Sequence, residues 1–188
     1  IEGKAIHNVQ NAMFAAAMAF SFGKDLDHIR NGLRTFDNSF FQSPGRTNVY
    51  NEHPFKVILD YAHNPASFAA IAELAERLDP AGRRVIVFSV PGDRRDEDIL
   101  DSVKACLPQF THFVCKADNN RRGRGDDEVP QLVRKYLMEL GVDDANITVI
   151  ADEEPAVAYA LEAAEAGDLL VITADELTRT WKQIINFN

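Results

Sequence analysis

The chain has 188 residues, 46% apolar and 26% charged, which is the balance of a packed globular core and excludes disorder as a description of the whole. At roughly 150 residues per domain this predicts one domain plus an appendage. Its 20 Lys and Arg against 29 Asp and Glu give a net charge of −9, which argues against a nucleic-acid binder that draws its affinity from counterion release.

The chain opens at Ile1, with no cleavable signal before its first helical pattern, and reads as a piece of something longer. That pattern, rich in Ala, runs from Lys4 to Phe22 and closes at Gly23. Its most apolar part, Ala12 to Phe22, is too short to span a bilayer, so no membrane role is expected. A short helix follows over Asp27 to Phe36, with Ile29, Leu33 and Phe36 on one face. Asn38 to Gly45 reads as a connector ending in the turn Ser43-Pro44-Gly45. We place the domain boundary there, between a helical part (1–42) and an α/β domain (43–188).

Beyond the boundary, Thr47 to Tyr50 and Lys56 to Tyr61 flank Asn51-Glu52-His53-Pro54 and predict a hairpin. Apolar runs at Val85 to Val90, His112 to Cys115, Ile147 to Ile150 and Leu169 to Thr173 alternate with helical segments near 66–78, 97–107, 130–140 and 154–166. Asp175 to Phe187 forms a last helix. Apolar strands joined by crossover helices predict a mostly parallel, Rossmann-like sheet of about six strands with helices on both faces. Ligands of such sheets sit at the carboxyl ends of the strands. The six acids of Asp152 to Asp168, with no Lys or Arg among them, read as a solvated helix face. Cys106 and Cys115 fit neither a disulfide framework nor a metal site and are read as packing residues.

Three polar loops follow predicted strands and so open on one edge of the sheet. In Asp60-Tyr61-Ala62-His63-Asn64-Pro65, Asn64 suits a helix N-cap and Pro65 the first helical position. The N–H groups of that helix start could receive an anion beside His63, and Asp60 could accept hydrogen bonds from sugar hydroxyls. The bland alternative is a helix start with two partly exposed loop residues. In Pro91-Gly92-Asp93-Arg94-Arg95-Asp96-Glu97-Asp98, Arg94 or Arg95 can grip a carboxylate bidentately, or the segment is only a charged helix start. Asp118 to Gly125 adds Arg121, Arg122 and Arg124, with Asp126, Asp127 and Glu128 beside them as neutralising acids. No G-x-x-x-x-G-K-[ST] loop, G-x-G-x-x-G fingerprint or G-x-S-x-G elbow occurs. The five histidines, His7, His28, His53, His63 and His112, match no metal-ligand spacing.

Lys4-Ala5-Ile6-His7-Asn8-Val9-Gln10-Asn11-Ala12, then Ser43-Pro44-Gly45-Arg46, then Asp60 to Pro65, resemble in order and spacing the end of the central domain and the carboxyl-terminal domain of the Mur ligase superfamily. Within it, Gly92 to Ile99, Arg122-Gly123-Arg124 and Asp175 to Ile184 look most like the cyanophycin synthetases. The resemblance implies an ATP-dependent ligase that activates a carboxylate as an acyl phosphate for attack by an amine. In cyanophycin synthetases this half is understood to attach arginine to the side-chain carboxylates of polyaspartate. The implied partners are a nucleotide, an amino acid and a peptide or polymer acceptor, in the cytoplasm, with a homo-oligomeric parent left open.

Carried over by position, the resemblance implies that Asn8 and Asn11 face the adenine and Asp60 the ribose hydroxyls, while Arg46 and His63 lie at the phosphates as the catalytic pair. Arg94 would bind the α-carboxylate of the incoming amino acid. Asp93, Asp96 and the run Asp126 to Glu128 are candidates for a cationic side chain. Residues 1–42 would be the helical end of the central ATP-binding domain. The phosphate loop and the Mg²⁺ ligands of that domain are not in this sequence, so ATP and Mg²⁺ would meet only one wall of the site here. A folylpolyglutamate-synthase-like ligase is the enzymatic runner-up, disfavoured by Gly92 to Asp98 and Arg122 to Arg124. A degenerate Mur-like binding or assembly module is the non-enzymatic one.

Overall fold

Runs that are apolar on both faces become the sheet, and amphipathic runs become its cover. The strands are β1 (Asn48–Tyr50), β2 (Lys56–Asp60), β3 (Arg84–Phe88), β4 (His112–Cys115), β5 (Ile147–Val149) and β6 (Leu169–Thr173). In the computed structural model, which describes residue 1 and residues 3–187, they form one sheet in the order β1-β2-β6-β3-β4-β5. The edge strand β1 is antiparallel to β2, with Val49 opposite Ile58, and every other pairing is parallel. This is the hairpin and mostly parallel six-stranded sheet expected from the sequence.

Seven helices accompany it among the described residues: α1 (Ile6–Ser21), α2 (Leu26–Thr35), α3 (Pro65–Leu78), α4 (Asp96–Cys106), α5 (Glu128–Glu139), α6 (Glu153–Ala163) and α7 (Leu177–Asn186). Alternate strand residues point to opposite faces, and the sheet accordingly separates two cores. Ile58, Ile86, Phe88 and Phe113 pack with Phe68 and Ile71 of α3, Ile99 and Val103 of α4, and Val133 and Leu137 of α5. Val57, Leu59, Val87, Leu170 and Ile172 pack with Val157, Ala160 and Leu161 of α6 and Ile184 of α7. Strand β6 leads to α7 on one face, while its neighbours β2 and β3 lead to α3 and α4 on the other. Chains leaving adjacent strands therefore diverge, which opens a crevice at the carboxyl edge.

Helix α3 begins as its sequence dictates. Asn64 Oδ1 accepts from the Ser67 amide at 3.0 Å, Ser67 Oγ lies 3.1 Å from the Asn64 amide, and Pro65 takes the first position, where an N–H is dispensable. Helices α1 and α2 differ from the rest because neither buries a residue, and Met13, Phe14, Phe20 and Phe22 stand largely exposed. Helix α2 ends at Thr35, so Phe36 caps it rather than extending its apolar face.

The acidic run at 152–168 is not a uniformly solvated face. Glu153 and Asp168 are both buried. Asp168 accepts from the Arg83 amide at 2.7 Å and from the Arg83 guanidinium at 2.7 and 3.0 Å, clamping the entries to β3 and β6 at the amino edge. Cys106 and Cys115 are buried and unpaired, and burial pushes the Cys115 thiol up to about 12, so both act as packing residues.

Candidate functional site

Loops leaving β2, β3, β4 and β6 meet at the carboxyl edge around a polar cavity of about 130 Å³. His63 comes from the β2 loop, Ser89 and Arg94 from the β3 loop, Asp118 and Arg122 from the β4 loop, and Asp175 from the β6 loop. Strand β3 stops at Phe88, two residues short of the apolar run, which frees Ser89 to face the cavity. The His63 ring is set by its own turn, with Nδ1 2.9 Å from the Tyr61 carbonyl oxygen and the Tyr61 ring 5.3 Å away.

The arginines around this cavity divide by partner. Arg124 donates to the carbonyls of Gly92 and Arg94 at 3.1 and 2.9 Å and to Asp96 and Glu128 at 2.7 and 2.9 Å, so it staples the β3 loop to α5. Arg122 holds Asp93 at 3.0 Å, Arg95 holds Asp98 at 2.9 Å, and Arg121 holds Asp152 at 2.8 Å. Arg94 is exposed, and its guanidinium makes no hydrogen bond or ion pair with the described residues. It is the cavity's free fork for a carboxylate.

Asp93, Asp96 and Glu128 are therefore engaged within the protein. The acids that face the cavity are Asp118 and Asp175. Burial, and then the neighbouring charge of Asp175, raise the Asp118 carboxyl above its ordinary value, against the charge of Lys116. A free guanidinium across from two carboxylates is complementary to a zwitterion.

Behind the cavity lies a network that the sequence reading missed. Lys116 follows β4 and is fully buried; its Nζ lies 3.0 Å from Glu153 Oε2 and donates to Ser89 Oγ at 3.0 Å. Glu153 also accepts from the amides of Asp175 and Glu176 at 2.7 and 3.1 Å and from Thr180 Oγ1 at 3.2 Å. Burial pushes the Glu153 carboxyl up, but the Lys116 charge and these donors outweigh it and leave it below its ordinary value. At helix position N1 an acid reads as a dipole partner, so neither residue gave a signal.

The residues expected at a nucleotide do not all meet. Asn8, Asn11 and Arg46 line a separate, mainly apolar groove of about 960 Å³ between α1, α2 and the connector. The side chains of these three make no hydrogen bond with the described residues and so present free polar groups. His63 lies instead in the carboxyl-edge cavity. Asp60 lines neither one and is almost wholly buried. Its Oδ2 accepts from the Thr47 amide at 2.8 Å and Thr47 Oγ1 at 3.0 Å, holding Thr47 at φ 55°, a left-handed conformation that a β-branched residue adopts only under constraint. Burial raises the Asp60 carboxyl, outweighing the Thr47 hydrogen bonds and the nearby His7 and Arg46 charges. One Asp60 oxygen is thus spent on the neighbouring turn, while Oδ1 makes no hydrogen bond with the described residues. Among the described residues no group of three or more His, Cys, Asp or Glu could hold a metal ion.

One antiparallel edge strand, a parallel sheet between two helical layers and a polar cavity at the carboxyl edge define a mostly parallel α/β domain whose strand ends meet around that cavity. The chain belongs to the Mur ligase family, whose "Mur ligase, glutamate ligase domain" matches residues 45–175. It is 37% identical over 177 residues to a cyanophycin synthetase of Crocosphaera subtropica, covering 94% of this chain and 20% of that protein. It is 28% identical to the UDP-N-acetylmuramoyl-L-alanyl-D-glutamate–2,6-diaminopimelate ligase of Aquifex aeolicus, covering 89% of this chain and 33% of that one. The solved UDP-N-acetylmuramate–alanine ligase of Thermotoga maritima shares the fold, with a TM-score of 0.67, 18% identity, and coverage of 97% of this chain and 38% of that structure. The chain thus spans about a fifth of the length of the cyanophycin synthetase it matches. No helix among the described residues is long and apolar enough to cross a membrane.

Proposed function

We propose that this chain is the carboxyl-terminal part of an ATP-dependent ligase that joins an amino acid, arginine, to a carboxylate of a peptide or polyaspartate acceptor. The observation that carries the reading is the free Arg94 guanidinium at a cavity whose other arginines are all tied to acids, inside the family's glutamate ligase domain. Arg94 grips the α-carboxylate of the incoming amino acid, and Asp118 and Asp175 stand where its cationic groups would lie. The amine is thereby aimed at an acceptor carboxylate activated as an acyl phosphate. Arg46, from the groove beside α1, supplies positive charge where phosphoryl charge develops, and His63 faces the same reaction from the carboxyl-edge cavity.

Asn8 and Asn11 offer free amides to an adenine, and Asp60 keeps Oδ1 for a ribose hydroxyl while Oδ2 holds Thr47. Residues 1–42 are read as the helical end of a central ATP-binding domain. Two facts support this: α1 and α2 bury nothing of their own, and the family match begins only at residue 45. Mg²⁺ ligands and the phosphate cradle are read as parts of that domain. An ATP-consuming ligase works in the cytoplasm, where its nucleotide and amino acid are supplied.

The test is steady-state kinetics of the ligase containing this chain, with each substrate varied in turn. A lysine cannot reproduce the planar fork, so Arg94→Lys should cost on the order of 2 to 3 kcal/mol in amino-acid binding, roughly 30- to 150-fold in KM. The KM for ATP should barely move. An unchanged amino-acid KM, or an equal rise for ATP, removes Arg94 from the acceptor site.

A further inference from the structure

We infer that the buried Lys116–Glu153 ion pair is the positioning device of the carboxyl-edge cavity, fixing three of its walls from behind; this rests on the reading that the cavity holds the incoming amino acid. Both side chains are fully buried, so neither can touch a substrate. As a source of stability the pair is a poor choice, because two well-packed apolar residues commonly serve a core as well as a buried ion pair does. What an apolar pair cannot do is direct hydrogen bonds.

The directions are explicit. Lys116 donates to Ser89 Oγ at 3.0 Å. A hydroxyl that accepts from an ammonium keeps its own hydrogen for another acceptor, and Ser89 beside Asp118 favours the charged form of that carboxyl. On the other side, Glu153 takes the amides of Asp175 and Glu176, pinning the turn after β6. Asp175 Oδ2 then accepts from the Asn119 amide at 2.7 Å, closing the ring back onto the β4 loop. Ser89 and Asp175, and through Asp175 the β4 loop, thus depend on one pair. Arg179 and Thr180, each 3.2 Å from Glu153 Oε1, anchor the pair to α7.

The test is an NMR titration of the ¹⁵N-labelled 188-residue chain with L-arginine, wild type against Lys116→Met/Glu153→Gln. The double variant removes both charges of the pair together. The inference expects a folded variant in which the Asp175 and Glu176 amides exchange about tenfold faster and arginine binds about tenfold more weakly. A folded variant that binds arginine as the wild type does overturns the inference and leaves the proposed function standing. A wild-type chain that does not bind arginine overturns both. If the double variant does not fold, Thr180→Val decides, since it removes one hydrogen bond to Glu153 from outside the cavity. It should weaken arginine binding by about two- to fivefold, and an unchanged affinity overturns the inference.

Discussion

Asp168 and Glu153 carry the strongest residue-level consequences, because each is an acid that burial disfavours and that its donors rescue. Burial raises the Asp168 carboxyl, but the Arg83 guanidinium and the amides of Glu165 and Arg83 outweigh it and leave it below its ordinary value. Such a group stabilises the fold above the unfolded-state value of 3.8, and that contribution is lost as pH falls through the lower folded value. Glu153 behaves in the same sense. Asp60 and Asp118 act oppositely: their raised folded values favour the fold below 3.8, and this is lost as pH rises through them. Asp168→Asn should therefore cost about 2 kcal/mol at neutral pH. It should also lose less of its melting temperature than wild type between about pH 6 and pH 3. Thermal melts across that range check it, and an unchanged acid slope would show that Asp168 is not held below its ordinary value.

At the scale of elements, the loops after β3 and β4 are held close by a glycine. Gly92 has no positive φ, yet a Cβ there would run into the Arg121 carbonyl oxygen. Gly92→Ala should push the two loops apart and cost about 1 to 3 kcal/mol. Gly32→Ala, within α2 and with open space around it, should gain about 0.5 to 1 kcal/mol by helix propensity. Urea midpoints of the two variants should move in opposite directions, and a shift in the same direction would contradict the close approach at Gly92. The elements themselves were legible in the sequence. Strands β4 and β6 have the bounds their apolar runs indicated, and the Asn64-Pro65 helix start is the cap its residue types promised. The site was legible only loop by loop: periodicity shows which strands end in polar residues but not which of those residues pair. Arg94 looks like Arg95, Arg122 and Arg124 in sequence, and only the pairing of the others sets it apart. Lys116, Glu153 and the Asp60–Thr47 turn were illegible for the same reason, since each partner lies on a different element.

For the molecule as a whole, two cores on opposite faces of one sheet hold residues 43–188 together, while α1 and α2 contribute no buried residue. What 1–42 gives the domain is limited: Ala5 in one core with Ile1 against it, Phe40 against the other core and stacked on Trp181 at 4.9 Å, a 3.3 Å contact between His7 and Thr47, and Asn38 bonded to Thr47 and Asn48. A fragment of residues 43–188 should therefore melt cooperatively and lose about 2 to 5 kcal/mol, a sum of a few partly exposed hydrogen bonds, one small buried side chain and one stacked ring. A non-cooperative melt would show that the boundary is misplaced. The most direct test of the central claim is amino-acid-dependent ADP release, measured on the 188-residue chain and on the protein encoded by its uninterrupted reading frame. The expected result is no release from the chain, whose sequence has no phosphate loop, and release from the longer protein that depends on arginine and on a carboxylate acceptor. Release from the chain alone would contradict the reading that it holds only one wall of the site, and none from the longer protein would contradict the assignment of this domain to an ATP-dependent ligase.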